Sequence, residues 1–388
     1  MTREDLISRL TQAAEIEHAI CCMYLFAGFA LKRSPSEGIS WAEVEQNREW
    51  TAILFTIARE EMAHLGIVCN LLGAIGAVPE LWHPPFPHSA PIGPVTAPLE
   101  LKSLTPESLE HLIQIETGER PEGSAISEGQ DDNTRTIGEL YREIRIGIGR
   151  IEEEKLFIGP RQAQLRIDFP SSVNLGPLHS RTEAILALDR LVAESGGTPA
   201  SHVARLINVK QELEAALAAN PTFEPSRRVV ANPSIESETR SSGMTTISHA
   251  DTRLAMELFN RAYLAMLLIL YRVNSPFGET DKELDLLRSV AYFPLMTMVI
   301  RPLGEMLTLL PAGDGMPGAN AGPGFELPKQ VILPPDKRVA WLRLGDLLGQ
   351  LASIAGTLVR RGVLGDRGEF LNQNLQRIES DFRRAMRF

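Results

Sequence analysis

Ile57-Ala58-Arg59-Glu60-Glu61-Met62-Ala63-His64 lies in the middle of a run, Glu43 to Ile75, whose apolar residues recur at helical spacing. Trp50, Leu54, Ile57, Val68, Leu72 and Ile75 fall on one face of the helix this period predicts. Gly76 stands where the helix should end. Positions 61 and 64 belong to the same inward face, yet they carry glutamate and histidine. The Glu-x-x-His spacing sets both side chains on one side of a helix, one turn apart. Burying an ionised carboxylate is costly unless a cation or a hydrogen-bond donor compensates it.

Toward the N-terminus the same anomaly recurs. Residues 4–31 predict a long amphipathic helix ended by Ser34-Pro35. Its inward face is Leu10, Ala13, position 17, Ile20 and Tyr24, and position 17 is glutamate with His18 beside it. Glu15 belongs to the Ser8–Thr11–Cys22 side and is expected to be less buried. Two helices that each place an acid and an imidazole on a core face call for a shared partner. Carboxylate oxygen and imidazole nitrogen suit a pair of iron or manganese ions, and helix bundles hold such pairs with this spacing. The competing reading is a buried Glu–His hydrogen-bond network that only fixes helix register.

Beyond Gly76, seven prolines between Ala77 and Thr105 exclude a helix and predict a connection wrapped over the surface. A short helix is expected over 106–116 with Thr105 as N-cap, then a polar, Gly-rich loop, then a third bundle helix over 136–154. A fourth runs over 180–194, is interrupted at Gly196-Gly197, and resumes over 201–219. Residues 220–244 lack a period and read as a linker. Helices follow over 248–274, 280–310 and 337–387, the last broken near Gly362–Gly365, with a Gly/Pro-rich loop or lid over 311–337. The expected fold is therefore all-α: a four-helix bundle over 1–235 and a second, C-terminal helical domain over 245–388.

Composition narrows the function. With 388 residues the chain is long for one core. Thirty-nine basic against 49 acidic residues give a net charge of −10 without any basic block, which argues against nucleic acid as a partner. The longest apolar stretch, Ala19 to Leu31, is too short to span a bilayer, so no membrane partner is expected. The opening Met-Thr-Arg-Glu-Asp-Leu does not read as a signal peptide. Three cysteines, two of them adjacent, read as buried thiols in a reducing compartment. A cytoplasmic location is expected.

The remaining ligands are less sharply marked. Ile137, Leu140, Tyr141, Ile144 and Ile148 define the inward face of the third helix, and Glu139 and Glu143 flank it equally. Glu116 shares a face with Leu109, Leu112 and Ile113, either as a ligand or as an acid behind one. Glu194 ends the fourth helix and His202 begins its continuation, so a bend between them would let both point inward. His83, His88, His111, His179 and His249 fall in loops or on polar faces and receive no chemical role.

These motifs resemble a known family. Ala14-Glu15-Ile16-Glu17-His18 followed by Tyr24-Leu25, the segment Ile57 to His64, and Asn70-Leu71-Leu72-Gly73-Ala74-Ile75-Gly76 are similar to the ferritin-like iminophenyl-pyruvate dimer synthases, a family that includes a region of the violacein- and rebeccamycin-pathway enzymes. Ile115-Glu116 with Pro121-Glu122, Thr136 to Tyr141, Ser201-His202, Val230-Ala231-Asn232-Pro233, Phe259-Asn260 with Tyr263, and Ala321 to Glu326 extend the resemblance over nearly the whole chain. Where relatives carry Glu-Gln-Gly-Glu-Gly, this chain has Glu194-Ser195-Gly196-Gly197-Thr198. The resemblance implies metal ligands at Glu17, Glu61, His64, Glu139, Glu194 and His202, and two iron ions, with manganese as the alternative. It also implies a small-molecule substrate, an imine derived from an aromatic amino acid, oxidatively coupled by an oxidoreductase; apart from the resemblance, a second copy of the chain is an expected partner. A non-catalytic metal-binding protein, or a metal-free helical interaction protein, is the alternative function.

Overall fold

The computed structural model describes residues 1–118, 136–168, 174–194, 201–236, 243–275, 277–328 and 333–386. The chain divides into two compact units, Met1–Ser226 and Arg227–Phe388. Unit 1 contains α1 (Arg3–Ala30), α2 (Trp41–Ala74), α3 (Pro106–Thr117), α4 (Ile137–Arg150), the single turn α5 (Glu153–Leu156), α6 (Arg181–Glu194) and α7 (His202–Ala219). Unit 2 contains α8 (Ala250–Asn274), α9 (Asp281–Val290), α10 (Arg301–Leu307), α11 (Lys337–Arg360) and α12 (Gly368–Ala385). Among the described residues the only β-structure beyond single bridges is two pairs of two-residue strands. The fold is all-α.

Helix starts follow from side chains that satisfy the first unpaired backbone N–H groups. Thr2 with Asp5, Ser40 with Glu43, Thr105 with Ser108 and Thr136 with Glu139 form reciprocal capping boxes at α1 to α4. Gly76 ends α2 at φ +77, with the Ala77 N–H donating to Leu72 O at 2.8 Å. That left-handed position is the one glycine occupies without steric cost.

Packing within unit 1 pairs α1 with α2 and α4, α4 with α6, and α3 with α7, while α2 also touches α6 and α7. Gly28 permits the close approach of α1 to α2, since a Cβ there would lie 2.5 Å from the Phe55 ring. From Ile16 to Ala30 every residue of α1 except Leu25 is buried. The one-sided amphipathic helix expected from the sequence therefore holds only for the first half of α1. Its second half is enclosed on all sides, as a core helix is. The third expected helix also breaks: Ile151 is extended, and its carbonyl accepts from Arg181 Nη2 at 2.5 Å.

In unit 2, α9 runs into a π-helical stretch, Ala291–Ile300, that contains Pro294. Proline supplies no N–H for an α-helical bond, and a wider turn accommodates its ring. Arg227 to Ser234 belongs to this unit. Val230 N–H donates to Asn320 O at 2.9 Å, and Pro233–Ser234 pairs in parallel with Thr245–Thr246. A buried ion pair, Arg272 Nε to Glu279 Oε1 at 2.5 Å, is completed by Trp341 Nε1 donating to the same oxygen at 3.1 Å.

Two helices, α1 and α8, have the length and hydropathy of a membrane span. Inside the protein, 89% and 72% of their apolar windows are covered.

Candidate metal centre

Burial brings together side chains from four helices of unit 1. Glu17 (α1), Glu61 and His64 (α2), Glu116 (α3) and His202 (α7) are all at most 4% exposed. His64 turns Nδ1 toward Glu61 Oε2 at 3.2 Å and Glu17 Oε2 at 3.4 Å, and Nε2 toward Glu194 Oε2 of α6 at 2.5 Å. His202 turns Nδ1 toward Glu61 Oε1 at 2.7 Å and Glu116 Oε1 at 3.3 Å. The two imidazole rings stack with centroids 5.6 Å apart. Glu61 thus stands between the histidines, one carboxylate oxygen facing each.

A further layer holds these groups in place. Tyr141 donates its hydroxyl to Glu17 Oε1, and Tyr24 donates to Glu116 Oε1 at 2.6 Å. Behind His202, Nε2 lies 3.2 Å from Glu60 Oε2, and Arg205 Nη2 donates to that same carboxylate.

Burial and crowding set the charge states. Desolvation, then the neighbouring Glu61, push the Glu17 carboxyl up to about 8. Burial alone would raise Glu61 too, but His202 and the hydrogen bonds from Glu17, His202 and His64 hold it well below the usual carboxylate range. The two histidines resist the neutralising effect of burial because acids surround them: Glu17, Glu194 and Glu61 around His64, Glu61, Glu116 and Glu60 around His202. Both are pushed well above the ordinary imidazole value. Burial and the acid each one touches keep the Tyr24 and Tyr141 phenols protonated as donors.

This donor set fits a pair of divalent cations. Ligand atoms of Glu17, Glu61 and His64 lie within 4.8 Å of one another, as do those of Glu61, Glu116 and His202, and those of His64, Glu194 and His202. Four carboxylates and two imidazoles are the hard and borderline ligands that iron and manganese prefer.

Five of the six residues marked from the sequence, Glu17, Glu61, His64, Glu194 and His202, therefore converge. Glu139 does not. Its carboxylate accepts from the Thr136 N–H at 2.9 Å while its own N–H donates to Thr136 Oγ1 at 3.1 Å, closing the capping box of α4. Glu143, its rival by phase, is bonded to Arg9. The acid that reaches the cluster is Glu116, whose phase with Leu109, Leu112 and Ile113 was the available signal. Glu15 is half-buried, as its phase predicts. Pro121-Glu122 and Ser195 to Thr198, part of the motif comparison above, lie outside the described residues.

The neighbour of Glu17, His18, faces elsewhere. Its ring meets His83 edge-on with centroids 4.7 Å apart. Burial and His83 hold it well below the usual imidazole range, against the Trp82 carbonyl, which accepts its proton.

Comparison with known proteins bears on the fold and the family. The chain is 27% identical to dichlorochromopyrrolate synthase of Lentzea aerocolonigenes, over 92% of its own length and 39% of that protein's. It thus spans about two-fifths of that relative. The solved structure of a ferritin-like protein from Caulobacter vibrioides superposes with a TM-score of 0.51 at 18% identity, covering 84% of this chain and 99% of that one. The family model described as Ferritin-like matches residues 10–214, more than half of the 388-residue chain and the whole of the acid–histidine cluster, so the chain belongs to the ferritin-like family.

Proposed function

We propose that this chain is a ferritin-like oxidoreductase with a dinuclear metal centre, iron before manganese. In our reading it oxidatively couples small aromatic imines derived from 2-oxo acids. The observation that carries the reading is Glu61, fully enclosed, with its two oxygens facing two different histidines. A carboxylate in that position would be shared by two cations, with Glu17 and His64 helping to hold one and Glu116 and His202 the other. Glu194 closes against the outer nitrogen of His64. The family and the synthase relative support a small-molecule substrate.

Joining two enamine-form substrates makes one carbon–carbon bond and releases two electrons and two protons. Iron held there would supply the redox chemistry, with dioxygen or peroxide as the two-electron acceptor. The protein's own groups do the rest. Tyr141 holds the Glu17 oxygen turned away from His64, Tyr24 holds Glu116 by the oxygen that also faces His202, and Glu60 with Arg205 orients His202 from behind. The enclosing apolar wall, with Leu54, Ile57 and Ile144 fully buried, keeps bulk water from the reacting groups.

The test is anaerobic reconstitution with ferrous ion followed by elemental analysis. We expect about two metal ions per chain, and their loss in the Glu61→Ala/His64→Ala double variant with helical circular dichroism retained. A double variant that still holds a full pair would sink the assignment. A wild type that takes up neither iron nor manganese would leave a metal-free helical protein instead.

A further inference from the structure

A second donor cluster lies on α1, apart from the acids. His18 and Cys22 stand four residues apart, on one face of the helix and one turn from each other. His83 reaches them from the Pro-rich segment, and ligand atoms of the three lie within 4.8 Å of one another. All three are buried, at 3%, 0% and 3% exposure. His83 Nδ1 donates to Pro84 O at 2.7 Å, so the neutral ring presents its lone pair on Nε2. A backbone carbonyl on one imidazole nitrogen is the arrangement that fixes the tautomer of a ligating histidine.

We propose that His18, Cys22 and His83 form a separate mononuclear site for a monovalent thiophilic cation, copper(I). Two imidazoles and one thiolate are a trigonal set that copper accepts. Charge distinguishes the occupants. One thiolate and two neutral imidazoles carry −1, which copper(I) neutralises, whereas zinc(II) would leave a net positive charge in a fully buried place. Zinc would also need a water to complete its tetrahedron, whereas copper(I) is satisfied by the three side chains. An approach exists, because His83 lines an open cleft of about 380 Å³ together with Trp82, Glu15 and His88. The site does not depend on the dinuclear reading, since it shares none of its ligands.

Anaerobic titration of the full chain with copper(I), in competition with a chromophoric copper(I) chelator, tests the assignment. One equivalent should bind to wild type, and X-ray absorption at that ratio should show one sulfur and two nitrogen neighbours. Cys22→Ser should weaken binding by more than about a hundredfold, and His83→Asn, which leaves the thiol in place, should do so as well. The Glu61→Ala/His64→Ala variant should bind copper(I) as wild type does, which separates this site from the dinuclear one. Copper(I) binding unchanged in both single variants would overturn the proposal. So would a wild type that takes one zinc(II) at these residues in preference to copper(I), or a copper absorption spectrum without sulfur.

Discussion

Replacing Glu17 with glutamine should remove a pH dependence from the metal-free protein. Folding raises the Glu17 carboxyl from 4.5 to about 8, chiefly by burial and next by the proximity of Glu61. Between those values the folded state holds a proton that the unfolded chain has released, so stability falls as pH rises through the window. The gap is about 3.5 pH units, at about 1.4 kcal/mol each, which caps the loss at about 5 kcal/mol. His64 and His202 act in the same direction. Surrounding acids outweigh burial and raise both above 6.5, so the stability they contribute is complete below that value and is lost as pH climbs through their folded values. Glu61, held well below 4.5, is ionised in both states across this window and adds no slope. The amide introduced by Glu17→Gln is neutral at every pH and keeps an oxygen for the Tyr141 hydroxyl. Wild type and Glu17→Gln should therefore match near pH 5, and the variant should be more stable by several kcal/mol, at most about 5, at pH 8. Urea denaturation of the stripped protein across pH measures this, and hydrogen exchange of α1 and α2 amides assigns it to unit 1. Parallel pH profiles for the two proteins would refute the reasoning.

Three further outcomes follow from the geometry. Glu139→Ala should cost about 1 kcal/mol through the lost capping box and leave metal stoichiometry intact, whereas Glu116→Ala should lower metal content by elemental analysis. Arg272→Ala strands the Glu279 carboxylate in the core of unit 2 and should destabilise it by about 3–5 kcal/mol in denaturant titrations. Ferrous ion uptake should strengthen as pH rises toward about 8, because Glu17 must give up its proton to bind, and calorimetry in buffers of different ionisation enthalpy should register that release.

The helices and most of the cluster were legible in the sequence because both follow from periodicity. Glu17, Glu61 and His64 stand out as polar residues at core phase, and no tertiary knowledge is needed to find them. Glu139 and Glu143 lay symmetrically beside the apolar face of α4, so phase had nothing to decide with. Thr136-Ile137-Gly138-Glu139 did carry the Thr-x-x-Glu capping signature, and it accounts for Glu139 without any metal. Tyr24 and Tyr141 were visible as core tyrosines, but their hydroxyl partners depend on where α3 and α1 lie. His83 was invisible as a partner of His18. It sits in an aperiodic segment 65 residues away, and only the folded path of that segment brings it back.

The order in which the donors occur along the chain carries a consequence for synthesis. Glu17, Glu61 and His64 are encoded within the first 64 residues and lie on one packed helix pair. Glu116 follows 52 residues after His64, and the set is complete only with Glu194 and His202, 130 and 138 residues after it. A nascent polypeptide can therefore display half of a chelating pocket well before the other half exists. Its first encounter with cellular metal would take place on an unfinished, solvent-accessible half-site.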